Sequence, residues 1–361
     1  MNKERIPVTI LTGFLGSGKT TLLNSLIKKN PRKKLAIIEN EFGEINIDSD
    51  LVIGVEDGIF ELSSGCICCE LNDELINVLL KLLNSKKQID HLIVETTGIA
   101  DPAPVAMSFL SDAKIRSMFR LDAIVTLADA QFIEQQMEDQ EEACRQIAVA
   151  DIVIINKIDK VEAYQKDTVR NIIKRMNSQA QIAESSFGEV VGFDVLNLKS
   201  FSQESLLQTK FDDKPKKLTE RHFSPAPSVE KPMALFAPGM KSNVHSDIAC
   251  FSFVFPEALD LLRFDIWMRT ILNHKSLRLY RVKGILSFRN IDEKLIFQAV
   301  NNQYLTDSAG MWGQEERSNK IVFIGKNLSR EFLLNGLHEC CTEEPFEPEQ
   351  FYKFLSSQNL Q

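Results

Sequence analysis

Three cysteines, Cys66, Cys68 and Cys69, fall within four positions in the stretch SSGCICCE. Three thiols on one short loop suit a soft or borderline ion such as Zn2+ or Cu+, because thiolate is the ligand such ions favour. A helix-like run, LNDELINVLLKL, follows directly, and a helix N-terminus lowers thiol pKa values and favours the thiolate. A closed structural zinc site takes four ligands, commonly from C-x2-C pairs. With three thiols the fourth position is left for a metal that is handed on, or for Glu39, Glu44 or a partner protein to complete. A redox thiol site and plain apolar packing are the alternatives. Of the remaining cysteines, Cys340 and Cys341 end an amphipathic run, one read as packed and the other as exposed; Cys144 and Cys250 read as core, and His245 as a surface histidine.

The second constellation is GFLGSGKT, Gly13 to Thr20. It matches G-x-x-x-x-G-K-[ST] between a strand-like and a helix-like run, the context that motif requires. Backbone N–H groups around Gly13, Gly16, Ser17 and Gly18 can curl about phosphate oxygens, with Thr20 and Thr21 opening the helix. Lys19 is expected to reach the β- and γ-phosphates and Thr20 to bind Mg2+. NKID, Asn156 to Asp159, follows the apolar run ADIVII. Asp159 can accept both the ring N–H and the exocyclic amine of guanine. Adenine lacks that donor pair, so GTP is favoured over ATP. Asn156 is expected to hold the other edge of the base, and Lys157 to lay its stem near the phosphate loop. HLIVETTG ends a strand with Glu95, suited to an outer-shell Mg2+ role beside Lys19, and Gly98 can bring its N–H to the γ-phosphate. ENEFGEINID, Glu39 to Asp48, reads as a switch segment in which Asp48 orients the attacking water or touches Mg2+; a solvated acidic loop is the alternative. No arginine finger can be picked out, so unassisted turnover is expected at roughly 10⁻⁴ to 10⁻² per second.

These residues need a scaffold. VTILTGF, KLAIIEN, HLIVETT, DAIVTLAD and ADIVIIN are strand-like, and amphipathic helical runs alternate with them. Continuous apolar strands between helices imply a mostly parallel, doubly wound α/β sheet covered on both faces. That domain is expected over 1–205. A linker follows over 206–245, holding Pro215, Pro225, Pro227, Pro232 and Pro238. IACFSFVFP, EALDLLRFDIWMRTILN, LRLYRVKGILSF, KLIFQAV, NKIVFIG and SREFLLNGLHEC predict a smaller α+β domain over 246–341, with Ser329 as a helix N-cap. Residues 342–361 read as a loose polar tail.

The totals agree. A length of 361 residues suggests about two domains. Hydrophobic residues make up 44% and charged residues 25%, ordinary for a globular protein. A net charge of -8 argues against binding nucleic acid through its phosphates. No apolar run approaches the roughly 18 residues of a membrane helix, and MNKERIPVTI holds no signal core. The expectation is a cytoplasmic protein without membrane contact. The seven cysteines are not spaced as a disulfide framework.

TGFLGSGKTT, ENEFGE, GCICC, ETTGIADP and NKID, in this order, resemble the CobW-like family of GTPase metallochaperones and its YjiA-like branch; YRVKGIL, IFQAV, MWG and IVFIG resemble that family's C-terminal domain. The resemblance implies a P-loop GTPase that binds a transition metal, often zinc, through Cys66, Cys68 and Cys69, with Glu39 and Glu44 as accessory ligands. It also implies metal delivery to a client metalloprotein coupled to the GTP cycle. Many members carry a histidine-rich stretch between domains; here that region offers His222 and His245, which speaks against metal storage. A metal sensor or buffer without required turnover, and a redox-regulated GTPase, remain as alternative readings. The second domain's surface suits client docking and homo-oligomer formation equally.

Overall fold

In this computed structural model the described residues are 5–39, 59–61, 71–84, 88–201, 218, 248–274 and 276–357. The chain divides into two compact units, Met1–Gln208 and Thr209–Gln361.

The first unit begins with β1 (Ile6–Gly13), whose inner six residues are buried, and α1 (Lys19–Lys29). The chain continues through β2 (Leu35–Glu39), β3 (Ile59–Glu61), α2 (Leu71–Asn84) and β4 (His91–Glu95). Next come α3 (Ala103–Ser111), α4 (Ala113–Met118), β5 (Phe119–Asp129), α5 (Ile133–Asp139) and α6 (Glu141–Val149). The last elements are β6 (Ile152–Asn156), α7 (Ala163–Met176), β7 (Gln181–Ser186) and β8 (Glu189–Val190). The strand order is β3-β2-β4-β1-β5-β6-β7-β8. Every pairing from β3 to β7 is parallel, and β8 returns antiparallel to β7. The mostly parallel, doubly wound α/β sheet expected from the alternating runs is therefore present. Strands buried on both faces must be apolar throughout, and β6, IVIIN, is buried along its whole length. On one face Leu22, Leu23 and Leu26 of α1 pack over Leu11, Ile37, Val125 and Ile154. Because β1 is central and the chain leaves it in opposite directions, a crevice opens at the C-terminal strand ends. Gly13, Glu39, Glu95, Asp129, Asn156 and Ser186 all end strands on that edge.

The second unit is a sheet of β9 (Ile248–Phe255), β10 (Arg278–Leu286), β11 (Glu293–Val300), β12 (Gln303–Met311) and β13 (Asn319–Lys326), in the order β12-β11-β10-β13-β9 and antiparallel throughout. Helices α8 (Leu261–Leu272) and α9 (Arg330–Cys341) cover one face. Asp260 caps α8, accepting from Arg263 N at 2.9 Å, and Ser329 caps α9 as expected, accepting from Phe332 N at 3.4 Å. Trp267 is fully buried between Phe264 and Phe323, and a Cβ on Gly336 would stand 2.2 Å from its ring. That glycine lets α9 approach α8. Strand β12 escapes the sequence reading because QYLTDSAGM is mixed in polarity, as suits a half-exposed edge strand.

Two expectations need correction. The loose polar tail expected over 342–361 is ordered through residue 357: α10 (Pro348–Ser357) is helical, and Phe346, Phe351, Phe354 and Leu355 pack against the core of this unit. The buried Arg263 holds the connection, donating to Glu344 O at 3.0 Å and Pro345 O at 3.2 Å and lying over the rings of Phe346 and Phe351. Four apolar residues spread among glutamates and prolines read as polar by composition, yet Phe351, Phe354 and Leu355 recur at three- and four-residue spacing on α10, and Phe346 joins them from just before it. Cys341 is half-buried, not exposed, and burial pushes its thiol up to about 12; Cys340 is fully buried.

Replacing Phe351 by Ala is expected to destabilise the second unit by about 3–5 kcal/mol; urea unfolding followed by tryptophan fluorescence measures this, since Trp267 belongs to the same core. A second prediction concerns pH. His91 is 1% exposed, with Nε2 2.8 Å from Thr9 Oγ1. Burial lowers its pKa to about 4, Lys33 and Arg120 push the same way, and Asp122 and Asp194 oppose them. The unfolded chain protonates this ring near pH 6.5 and the folded chain does not, so its contribution is complete above that pH and is lost as pH falls towards 4. With His91→Gln, the stability gap to wild type should narrow by about 3 kcal/mol between pH 7.5 and pH 4.5, by urea titration.

Candidate nucleotide site

The loop leaving β1 carries three glycines in conformations that side chains resist: Gly13 at φ 144°, Gly16 at φ 73° and Gly18 at φ 102°. Two are also enclosed. A Cβ on Gly13 would lie 2.4 Å from Leu127 O, and one on Gly18 would lie 2.4 Å from Asn156 Nδ2. Gly18 is the N-cap of α1 and has no side chain to satisfy the helix's first N–H groups, which are left for an anion. Lys19 Nζ donates to Gly13 O at 2.9 Å and Phe14 O at 3.4 Å, which places the ammonium inside the loop. The Ser17 hydroxyl is buried without a hydrogen-bond partner. Glycine curvature, a central ammonium and an unsatisfied hydroxyl together suit a phosphate chain.

The base side is built from the ends of β5, β6 and β7. Asn156 is 2% exposed; its Nδ2 donates to Ser17 O at 2.8 Å and its Oδ1 accepts from Ser185 Oγ at 2.7 Å. Asn156 thus braces the phosphate loop against β7 with one amide hydrogen and one lone pair, and its second hydrogen and second lone pair are left for another partner. Lys157 adopts φ 60°, and its Nζ meets the buried Asp129 carboxylate at 2.8 Å. Asp159 is exposed, and Ser186 Oγ donates to its Oδ1 at 2.6 Å. The Ser186 hydrogen bond holds its carboxyl below the usual carboxylate range, assisted by Lys160 and Lys157. An ionised, oriented acceptor here suits a paired N–H donor. Ser185, Ser186 and Asp129 were missed in the sequence. The signal for the serines was SSFG, where Phe187 at φ 53° and Gly188 at φ 76° form a tight turn between β7 and β8.

On the other flank β4 ends at Glu95, opposite Leu11 of β1 and Glu39 of β2. Thr96 continues the sheet contact, its N–H donating to Leu11 O at 2.9 Å and its hydroxyl to Thr12 Oγ1 at 2.8 Å. A turn follows, with Ala100 N donating to Thr97 O at 3.1 Å. Gly98 at its centre presses on the phosphate loop: a Cβ there would sit 2.6 Å from Leu15 N. Behind the turn lies Gln146 of α6, 1% exposed, another residue the sequence reading missed; its signal was a polar residue among the apolar positions of QIAV. Thr20 is half-buried in the first turn of α1 and Thr21 is exposed. Glu44, Asp48, Cys66, Cys68 and Cys69 lie outside the described residues, and Glu39 is placed by its backbone. Among the described residues no three His, Cys, Asp or Glu side chains gather into a metal site, and no helix is long and apolar enough to cross a membrane.

Residues 7–184 match the family described as CobW/HypB/UreG, nucleotide-binding domain, and residues 248–341 match the cobalamin synthesis protein cobW C-terminal domain. The zinc chaperone YjiA of Escherichia coli K12 is 30% identical over 331 residues, covering 90% of this chain and 96% of the relative. The chain belongs to the CobW/HypB/UreG family. The zinc-regulated GTPase metalloprotein activator 1 of Schizosaccharomyces pombe is also 30% identical, covering 91% of this chain and 84% of that protein. The crystal structure of Zn(II)-bound YjiA GTPase from E. coli superposes with a TM-score of 0.66 at 25% identity, covering 94% of this chain and 100% of that one. As a CobW/HypB/UreG member with an intact phosphate loop, the chain is a P-loop GTPase.

The open surroundings of Gly16 and the enclosed ones of Gly18 separate the two by experiment. Gly16→Ala meets nothing within 4 Å, so it carries only the left-handed penalty, about 1–2 kcal/mol. Gly18→Ala must also displace the Asn156 amide, and thermal unfolding should show a loss larger by about 1–3 kcal/mol.

Proposed function

We propose that this GTPase is a metallochaperone: it binds Zn2+ or a similar transition metal at Cys66, Cys68 and Cys69 and couples release to a client metalloprotein to the GTP cycle. The observation that carries this is where the cysteine segment is anchored. It begins five residues after Glu61, the last residue of β3, and ends just before Leu71, the first of α2. Strand β3 pairs with β2, and β2 pairs with β4, which leads into Gly98. A change in the loops that meet the γ-phosphate therefore acts on the sheet edge that holds the cysteine loop. The names of the relatives, two zinc chaperones and a zinc-regulated activator, point to the same metal.

In this reading Gly13, Gly16, Ser17, Gly18, Thr20 and Thr21 surround the phosphates, and Lys19 leaves its carbonyl contacts to meet the β- and γ-phosphate oxygens. Asp159 accepts from the guanine N–H pair. Asn156 holds the other edge of the base while bracing the phosphate loop, and Lys157 positions the loops through Asp129. Thr20 and Glu95 offer hard oxygen donors, which fit Mg2+, directly and through water; that ion supplies charge neutralisation at the transferred phosphoryl group. Asp48 orients the attacking water, and Gly98 presents its N–H to the γ-phosphate. Glu39 or Glu44 completes the metal site.

By linkage, if GTP changes metal affinity, metal changes GTP affinity by the same factor. Zn2+ titration of the reduced protein, with GDP and with a non-hydrolysable GTP analogue, tests the proposal. Affinity should differ between the nucleotides and collapse in Cys68→Ala. Equal affinity in both states favours a sensor or buffer, and absence of stoichiometric binding favours a redox role for the thiols.

A further inference from the structure

We infer that Gln146 is a positioning residue for GTP recognition: from α6 it holds the turn at residues 97–100 against the phosphate loop, so that the turn can register the γ-phosphate. Its Nε2 lies 3.2 Å from Gly98 O and 3.0 Å from Ala100 O, so one amide nitrogen uses its two hydrogens on two carbonyls of the same turn. The backbone that carries this side chain is itself held, because the main-chain carbonyl of Gln146 accepts from Thr126 Oγ1 of β5 at 2.8 Å. On the opposite side of the turn Leu15 leaves no room even for a methyl group at Gly98. The turn is thus clasped between a loop that surrounds phosphates and an amide anchored to the strand beside β1. Thr97 Oγ1, buried in this turn, has no hydrogen-bond partner, as with Ser17 Oγ of the phosphate loop.

A glutamine in this place does more than fill space. An apolar residue of the same size would fill the same buried volume. It would leave two inward-facing carbonyls without a donor, and the turn would relax towards solvent to find one. Gln146 touches neither phosphate nor base in this arrangement, so its effect passes through Gly98. The inference therefore rests on the proposed contact between Gly98 and the γ-phosphate.

The test measures affinity for GDP and for a non-hydrolysable GTP analogue, by fluorescence titration with Mg2+ present, in wild type, Gln146→Met and Gly98→Ala. Gln146→Met should weaken the analogue about tenfold, the scale of one net hydrogen bond, while GDP changes by less than about twofold. A parallel loss of both nucleotides, or no loss of either, overturns the inference and leaves Gln146 a packing residue. If Gly98→Ala also spares the analogue, the γ-phosphate contact itself is wrong; if Gly98→Ala loses the analogue and Gln146→Met does not, only the role of Gln146 fails. Gln146→Glu gives a second readout should the methionine variant fold poorly. Its carboxylate cannot donate and repels both carbonyls, whereas the protonated acid donates once, and burial among carbonyls raises its pKa. Analogue affinity of this variant, relative to wild type, should recover between pH 8 and pH 5.5. Recovery is not expected from a packing role, and its absence counts against positioning.

Discussion

A single buried amide joins the parts of the nucleotide site. Asn156 spans the gap between the phosphate loop and strand β7, donating to Ser17 O and accepting from Ser185 Oγ. Both bonds are shielded from water, where losing one leaves a buried polar group unsatisfied at a cost of about 1–3 kcal/mol. The geometry allows no slack, since Gly18 is glycine partly because this amide occupies the space of its Cβ. Through that contact the glycine loop after β1 is tied to the ends of β6 and β7. Their spacing is then set by the sheet rather than by the ligand.

The same logic repeats on the other flank with a different donor. Gln146 reaches two carbonyls of the turn after β4, as Asn156 reaches one carbonyl of the phosphate loop. Side-chain amides suit this work because one group can both donate and accept, and neither function depends on pH. The parallel sheet supplies the frame. Each strand ends on the same edge, so residues far apart in sequence meet there without long excursions. A charged version of either brace would have to be paired or desolvated in the interior, at greater cost.

The second unit obeys a different constraint. Its antiparallel sheet buries one face under α8 and α9, and a single large side chain, Trp267, determines how closely the helices approach. Arg263 extends that core outward by gathering the aromatic rings of the C-terminal segment around its guanidinium. The segment gains order from apolar contacts and from carbonyls fixed by a buried cation.

Much was legible before any coordinates. The phosphate loop is local, a run of glycines with lysine and threonine, and its conformational demands are written in the residues themselves. Continuous apolar strands between amphipathic helices specify the parallel sheet because burial on both faces leaves no alternative to apolar sequence. Local capping was readable for the same reason, as Ser329 shows. What the sequence could not decide were contacts across distance. That Asn156 bonds Ser17, that Asp129 pairs with Lys157, and that Gln146 clasps Gly98 all depend on which strand ends lie side by side. The helix at 348–357 was hidden similarly: its phenylalanines are few and scattered in an acidic stretch, and only the surface they meet makes them core. Local conformational preference is a property of neighbouring residues, whereas the partner of a buried polar group is a property of the fold.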